Sequence, residues 1–358
     1  MSGVVKNSKL QKISSYDPGG IYTNGQLFGL PFTNQESEVV IVPMPWEVTT
    51  SYRDGTAQGP RTVLKASYQV DLYDLDAPEA WELGIGIQPI SSAWSRQNTV
   101  LRRQAKKYLD YLYNGGDTRV KWVRQTLAEI NQAGAELNGW MKKETAKLLK
   151  QNKLVGVLGG EHSVSLGFMQ ALAEQYPRYS ILHLDAHADY RAAYEGFEFS
   201  HASIQYNAGK IKQVDRQVLV GIRDYSHAEA QRIAESHGRI AAFPDREIKR
   251  GAYAGKTWQA QCGEIIKPLS KEVYISFDID ILDPSLCPHT GTPVPGGLEF
   301  EQVFYLIEAV IKSGRKIIGF DLCEVAPGVG NNGEWDAIVG ARVLYRLAIL
   351  MAKSQRRI

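Results

Sequence analysis

The chain has little cysteine. Its 358 residues include only Cys262, Cys287 and Cys323, an odd count without metal-type spacing. That argues against a disulfide framework and fits a reducing cytoplasm. Net charge is also scarce, at a formal +2, so composition offers no surface for nucleic acid or membrane headgroups. The short patches Arg102-Arg103 and Lys106-Lys107 read as a solvated helix face. Long apolar runs are missing because charges or glycines interrupt each one, which leaves no membrane span. The start, M-S-G-V-V-K-N-S-K-L-Q-K, lacks the apolar core of a signal peptide. Internal repeats and low-complexity tracts are absent too. What is present is a hydrophobic content of 44%, ample for a sizeable core. The expectation is a cytoplasmic protein without nucleic-acid or membrane partners.

Residues 1–37 are polar and Gly-rich and read as an N-terminal arm. Its aromatic residues Tyr16, Tyr22, Phe28 and Phe32 suit packing on the rest of the chain. Strands and helices then alternate through residues 38–358. Buried strands are expected at V-V-I-V-P-M-P from Val39, at Leu154–Leu158, and at Y-S-I-L-H-L-D from Tyr179. Further strands are expected from Gln217, at E-V-Y-I-S-F-D from Glu272, and at K-I-I-G-F-D-L from Lys316. Helices are expected after Pro60, from Ser163, and over about 226–237, 299–312 and 334–353. Such alternation implies an α/β fold, a mostly parallel sheet with helices on both faces. One segment breaks the pattern. Over about 94–150, Leu101, Ala105, Leu109 and Leu112 share one helical face, and Val123, Leu127, Ile130, Leu137 and Met141 another. This reads as an inserted helical pair, used for packing or for oligomer contacts.

Ligands of open parallel sheets collect at the carboxyl ends of the strands, and four expected strand ends carry polar clusters. G-G-E-H-S-V gives His162, which alone is as readily a turn or cap residue. D-A-H-A-D gives Asp185, His187 and Asp189 behind an apolar strand. S-F-D-I-D gives Asp278 and Asp280, which strand alternation would point to one face. D-L-C-E-V-A-P gives Glu324, which alone could cap a helix. Converging carboxylates repel unless cations neutralise them. Two imidazoles and four aspartates suit a pair of divalent ions such as Mn²⁺ or Ni²⁺ rather than a Cys-rich zinc site. Paired ions lower the pKa of a shared water, which is a hydrolase design. Substrate charge follows from Glu324: a further carboxylate beside such a centre suits a planar cation that donates two hydrogen bonds, a guanidinium. A two-metal esterase for neutral substrates fits that acid poorly.

G-G-E-H-S, D-A-H-A-D, S-H-A-S, S-F-D-I-D-x-x-D-P and G-T-P-V-P-G-G, in this order over roughly residues 38–350, resemble the ureohydrolase family. That family comprises arginases, agmatinases, formimidoylglutamases and guanidine hydrolases. The resemblance implies a three-layer α/β/α sandwich and two divalent ions, usually Mn²⁺ and in guanidine hydrolases Ni²⁺. It implies that His162, Asp185, Asp189 and Asp278 hold one ion, and Asp185, His187, Asp278 and Asp280 the other. Asp189 would also pass a proton to the leaving nitrogen, and His201 in S-H-A-S would shuttle protons. Glu324 would grip the guanidinium and Thr292 would line the pocket. It further implies a homotrimer or homohexamer. Asp283, off the ligand pattern and before Pro284, reads as structural.

Departures from the family pattern bear on the substrate. After D-A-H-A-D the chain reads Y-R-A-A-Y-E-G-F-E-F, without the polar loop by which arginases read an amino-acid head group. P-M-P-W-E-V-T-T-S-Y-R-D-G-T, the arm and the helical insertion are similar to the guanidine-hydrolase branch. Trp46 is a candidate pocket residue whose bulk would shorten the site, and His289 is a candidate to line the pocket, to bind the neighbouring subunit or to cap its loop. The expected reaction is release of urea from a small cationic guanidino compound, with free guanidine leading and agmatine the alternative. Formimidoylglutamate and arginine follow, kept open by Arg191, and a non-catalytic member would be expected to have lost ligands.

Overall fold

The computed structural model describes residues 3–328 and 334–358; the first two residues of the expected arm lie outside the described residues. Eight strands form one sheet: β1 (Val39–Met44), β2 (Ile85–Ile87), β3 (Leu154–Gly159), β4 (Tyr179–Leu184), β5 (Val214–Val220), β6 (Ile240–Phe243), β7 (Glu272–Asp278) and β8 (Lys316–Cys323). Every pairing is parallel, in the order β2-β1-β3-β8-β7-β4-β5-β6. The helices in chain order are α1 (Gly3–Ser15), α2 (Gly59–Ser67), α3 (Ser92–Tyr113), α4 (Lys121–Lys150), α5 (Leu166–Leu172) and α6 (Ile204–Ala208), then α7 (His227–Ala234), α8 (Asp245–Tyr253), α9 (Trp258–Ile266), α10 (Phe300–Lys312) and α11 (Trp335–Ser354). No described helix is long and apolar enough to cross a membrane.

Strand alternation divides the core into two layers. Val39 and Ile41 of β1, with Leu154 and Leu158 of β3, join one apolar cluster, completed by residues of α2, α9, α10 and α11. Val40, Val42, Val155 and Val157 join the other, beneath α3, α4 and α5. The chain therefore forms the expected three-layer α/β/α sandwich, with a wholly parallel sheet. The helical pair lies within it: Leu101, Ala105 and Leu109 of α3 and Val123, Ile130, Leu137 and Met141 of α4 are buried against the sheet. Each such Leu or Met contributes about 1.5–3 kcal/mol on burial, which accounts for the pair as a packing layer. Strands β2 and β6 and helices α1, α6, α8 and α9 were not expected; β2 has three residues and β6 is only half-buried along its length, too little for periodicity to register.

The N-terminal segment is tied down. Leu27, Phe28, Leu30 and Phe32 are buried in the first cluster, and Tyr16 packs on Trp81 with ring centroids 5.2 Å apart. Helix α1 is held through Glu36, whose side chain accepts from Lys12 Nζ at 2.6 Å, Ser8 Oγ at 2.7 Å and Thr33 N at 2.8 Å. Burial alone would raise this carboxyl. The hydrogen bonds outweigh it and hold the group at about 2, below its ordinary 4.5. A depressed folded pKa contributes stability that is present above pH 4.5 and lost as pH falls towards 2. Glu36→Gln is therefore expected to lower the melting temperature at neutral pH. Its thermal melts should also fall less steeply than the parent's between pH 5 and pH 2.

One glycine fixes how the strand ends meet. A Cβ on Gly160 would lie 2.0 Å from Trp46 O. Gly160 N donates to Met44 O at 3.1 Å, and Glu324 N donates to Gly160 O at 2.9 Å. The segments leaving β1, β3 and β8 are thus tied together at a point where no side chain fits.

Candidate metal centre and active site

The strands β3, β8, β7 and β4 are immediate neighbours in the sheet. Each delivers one of the expected polar clusters at its carboxyl end, so motifs separated by up to 162 positions converge. His162 opens the turn after β3. Its Nδ1 lies 3.1 Å from Asp185 Oδ2, 3.5 Å from Asp189 Oδ2 and 3.3 Å from Asp278 Oδ2. His187 Nδ1 lies 3.4 Å from Asp185 Oδ1 and 3.0 Å from Asp280 Oδ2. Asp185 thus turns one oxygen to each imidazole and stands between the two groups. The strand-alternation reading of Asp278 and Asp280 needs correction. β7 ends at Asp278, and Asp280 sits in a 3-10 turn, Ile279–Ile281, capped by Asp278 Oδ1 accepting from Asp280 N at 2.9 Å. The turn, not the pleat, brings the second acid round.

The electrostatics of this cluster fit cations. Burial, then the charges of Asp280 and Asp185, push the Asp278 carboxyl well upward. Burial and Asp185 push Asp189 up to about 7, and burial and Glu161 push Glu324 well upward. Acids this enclosed are costly to ionise together without positive charge among them. Among the described residues, Asp185, His187 and Asp280 present ligand atoms within 4.8 Å of one another, as do His162, His183 and Asp185. A third group, His162, Asp321 and Cys323, is a poorer candidate. Burial holds the Cys323 thiol well above its ordinary value, and Asp321 already accepts from Tyr274 Oη at 2.7 Å and Phe277 N at 3.0 Å.

Residues behind the candidate ligands set their orientation, and the sequence reading missed them. His162 Nε2 lies 2.8 Å from Ser276 Oγ and 3.3 Å from Asp321 Oδ1, which leaves Nδ1 to face the aspartates. His183, fully buried, lies 3.2 Å from Asp185 Oδ2 through Nε2. Burial pushes it down to about 4. Its Nδ1 meets Gln205 Nε2 at 3.0 Å. The signal was a polar residue inside an apolar strand: the His of I-L-H-L and the Asp of G-F-D-L.

A cavity of about 310 Å³ opens over this edge. Its walls include His162, His187, Asp189, Asp278, His201, Thr292 and Glu324. Glu324 Oε1 accepts from His162 N at 2.8 Å. Glu324 and Asp189 both adopt left-handed backbone, with φ of 64° and 54°, a strain that non-glycine residues keep where the surroundings enforce it. His201 N donates to Thr49 Oγ1 at 3.1 Å, and Thr49 Oγ1 donates to Glu161 Oε1 at 2.8 Å. Burial, then the nearby His187 and Arg102, push the His201 imidazole down to about 3.

Two expected pocket residues lie elsewhere. Trp46 is buried in the second apolar layer, edge-on to Trp94 at 5.9 Å; its bulk fills core rather than cavity. His289 is drawn off by Asp336, which accepts from His289 N at 2.9 Å and lies 2.8 Å from its Nδ1. That bond ties the loop to the first turn of α11. Neither lines the cavity. In their place the walls carry Tyr52, Tyr194, Tyr225 and Asp224. Arg191 also lines it, with Nε 3.2 Å from Glu229 Oε2.

The family model described as the arginase family matches residues 37–350. The chain belongs to the arginase family. This arginase-family chain is 32% identical over 316 residues to N(1)-aminopropylagmatine ureohydrolase of Thermus thermophilus, covering 87% of the chain and 89% of that relative. It is 28% identical to proclavaminate amidinohydrolase of Streptomyces clavuligerus, covering 87% and 88%. In fold it resembles the agmatine ureohydrolase of Thermoplasma volcanium, with a TM-score of 0.69, 21% identity and coverage of 94% and 97%.

Proposed function

We propose that this arginase-family chain releases urea from a guanidino compound whose far end carries a second positive charge, the class to which agmatine belongs. The observation that carries this reading is a pair of carboxylates lining one cavity: the buried Glu324, and the exposed Asp224, which has no ion pair among the described residues. The relatives named for agmatine and aminopropylagmatine support it.

His162, Asp185, Asp189 and Asp278 would hold one divalent ion, and Asp185, His187, Asp278 and Asp280 a second, with Mn²⁺ and Ni²⁺ suiting this donor set. Such ions supply a water whose pKa falls to near neutrality. Glu324 binds and orients the guanidinium through charge-assisted hydrogen bonds. Asp189, already enclosed, holds the proton needed by the departing nitrogen, and His201, held neutral by burial, stands in the cavity wall where it would relay protons. Hydrolysis would form a C–O bond from water to the guanidinium carbon and break a C–N bond, the amine leaving with the proton from Asp189.

Free guanidine is the second reading. Three tyrosines crowd a cavity whose volume, about 310 Å³, stands at the bottom of the range of roughly 300–1,000 Å³ usual for small-molecule sites. The Arg191–Glu229 pair leaves less to recognise a substrate carboxylate, which disfavours arginine and formimidoylglutamate. A urea-release screen across guanidine, agmatine, aminopropylagmatine, arginine and guanidinobutyrate, with Mn²⁺ and Ni²⁺ separately, decides. Turnover of guanidine alone would overturn the leading reading. Asp224→Asn is expected to raise KM for agmatine about two- to fivefold, the worth of a rim charge pair, and to leave guanidine turnover unchanged.

A further inference from the structure

A second cavity, of about 760 Å³, lies behind the active site between α6, α7 and the β5–β6 edge. Three cations surround it. Lys210 and Arg232 lie over the Tyr206 ring, 4.1 Å and 4.7 Å from its centroid. Arg239 donates to Gly209 O and Val214 O at 2.6 Å and 2.9 Å. Among the described residues none of the three meets a carboxylate within ion-pair distance; Lys210 donates to Asn207 Oδ1 at 2.8 Å. The one acid on the rim, Glu235, accepts from Gln231 Nε2 at 2.8 Å.

The floor holds a polar group without a partner. Tyr190 is 4% exposed, and its buried hydroxyl makes no well-formed hydrogen bond, with the Gln217 amide, Arg239 and Arg232 around it. The adjacent Gln217 amide is committed on its donor side, which leaves only its oxygen to approach the hydroxyl. Its Nε2 donates to Gln205 O and Oε1, both at 2.8 Å, and Gln205 in turn meets His183. A buried hydroxyl without a partner costs about 1–3 kcal/mol, and unpaired guanidinium groups in a concave site attract anions.

We propose that this cavity binds a phosphate-type oxyanion, with Lys210, Arg232 and Arg239 supplying the charge and the Tyr190 hydroxyl a hydrogen bond from the floor. Calorimetric titration of the metal-loaded protein with inorganic phosphate is expected to resolve two classes of site, one at the metal centre and one here. The charge-reversed variant Lys210→Glu/Arg232→Glu, both changes at exposed positions, is expected to lose the second class by at least about tenfold in affinity. It should keep the first class and its urea release in the absence of phosphate. Tyr190→Phe, which removes only the hydroxyl, is expected to weaken the second class about two- to tenfold. A phosphate monoester binding tighter than inorganic phosphate assigns an esterified ligand; weaker binding assigns free phosphate. Identical isotherms in the parent and the charge-reversed protein would overturn the proposal.

Discussion

Asp278→Asn is expected to slow urea release about a hundredfold to a thousandfold, the scale for removing one charge-stabilising group from an active site. The bound divalent metal should fall with it. The same substitution should raise the melting temperature of the metal-free protein, by on the order of a few degrees. The opposite signs have one cause. Asp278 is 4% exposed and faces Asp280 and Asp185, so its carboxyl is pushed well upward. Without cations the negative form is an electrostatic cost that asparagine removes while keeping the shape. Asparagine can also still accept from Asp280 N, the bond that caps the turn. With cations present, the lost charge weakens their binding instead. Metal analysis, urea assay and thermal melts with and without chelator check the three parts. A variant less stable in both states would mean that Asp278 serves the fold rather than the ions.

Glu324→Gln is expected to reduce kcat/KM about tenfold to a hundredfold or more, the worth of a hydrogen bond to a charged group at about 1.5–3 kcal/mol, with metal content unchanged. Glutamine can still accept from His162 N, so the backbone knot at Gly160 should hold. What is lost is the charge facing the substrate. Because Glu324 already sits in left-handed backbone, Glu324→Gly should relieve strain and still lose turnover, separating charge from conformation. An unchanged rate in Glu324→Gln would mean that the guanidinium is held elsewhere.

Most of the layer order and the convergence of the polar motifs could be read from the sequence because both are written in local patterns. Apolar strands ending in acid and imidazole announce the edge at which a ligand sits, and the order of motifs carries the family resemblance. Local pattern says nothing of which strands become neighbours. Hence Asp321 and His183, each a polar residue inside an apolar strand, passed unnoticed although they brace His162 and Asp185. Trp46 illustrates the opposite limit. Its position after β1 suits a pocket wall, yet the side chain rotates into the layer under α3, where Trp94 receives it. His289 stands in the loop that supplies Thr292, but its partner Asp336 lies 47 positions away, beyond any local reading. The turn at Ile279–Ile281 was hidden for a simpler reason: S-F-D-I-D alternates like a strand to its last residue.

The sheet order also sets when the centre can come into being. β3 and β4 carry His162, Asp185, His187 and Asp189, yet β8 and β7, the last two strands of the chain, lie between them. A ribosome making roughly 5–20 residues per second exposes these four candidate ligands well before residues 272–323 emerge. Until then β3 and β4 must leave a gap two strands wide, with apolar edges open on either side. Completion of the polar cluster is thus a late event in the life of each nascent chain, and the interval before it is when the open strand edges are most exposed to mispairing.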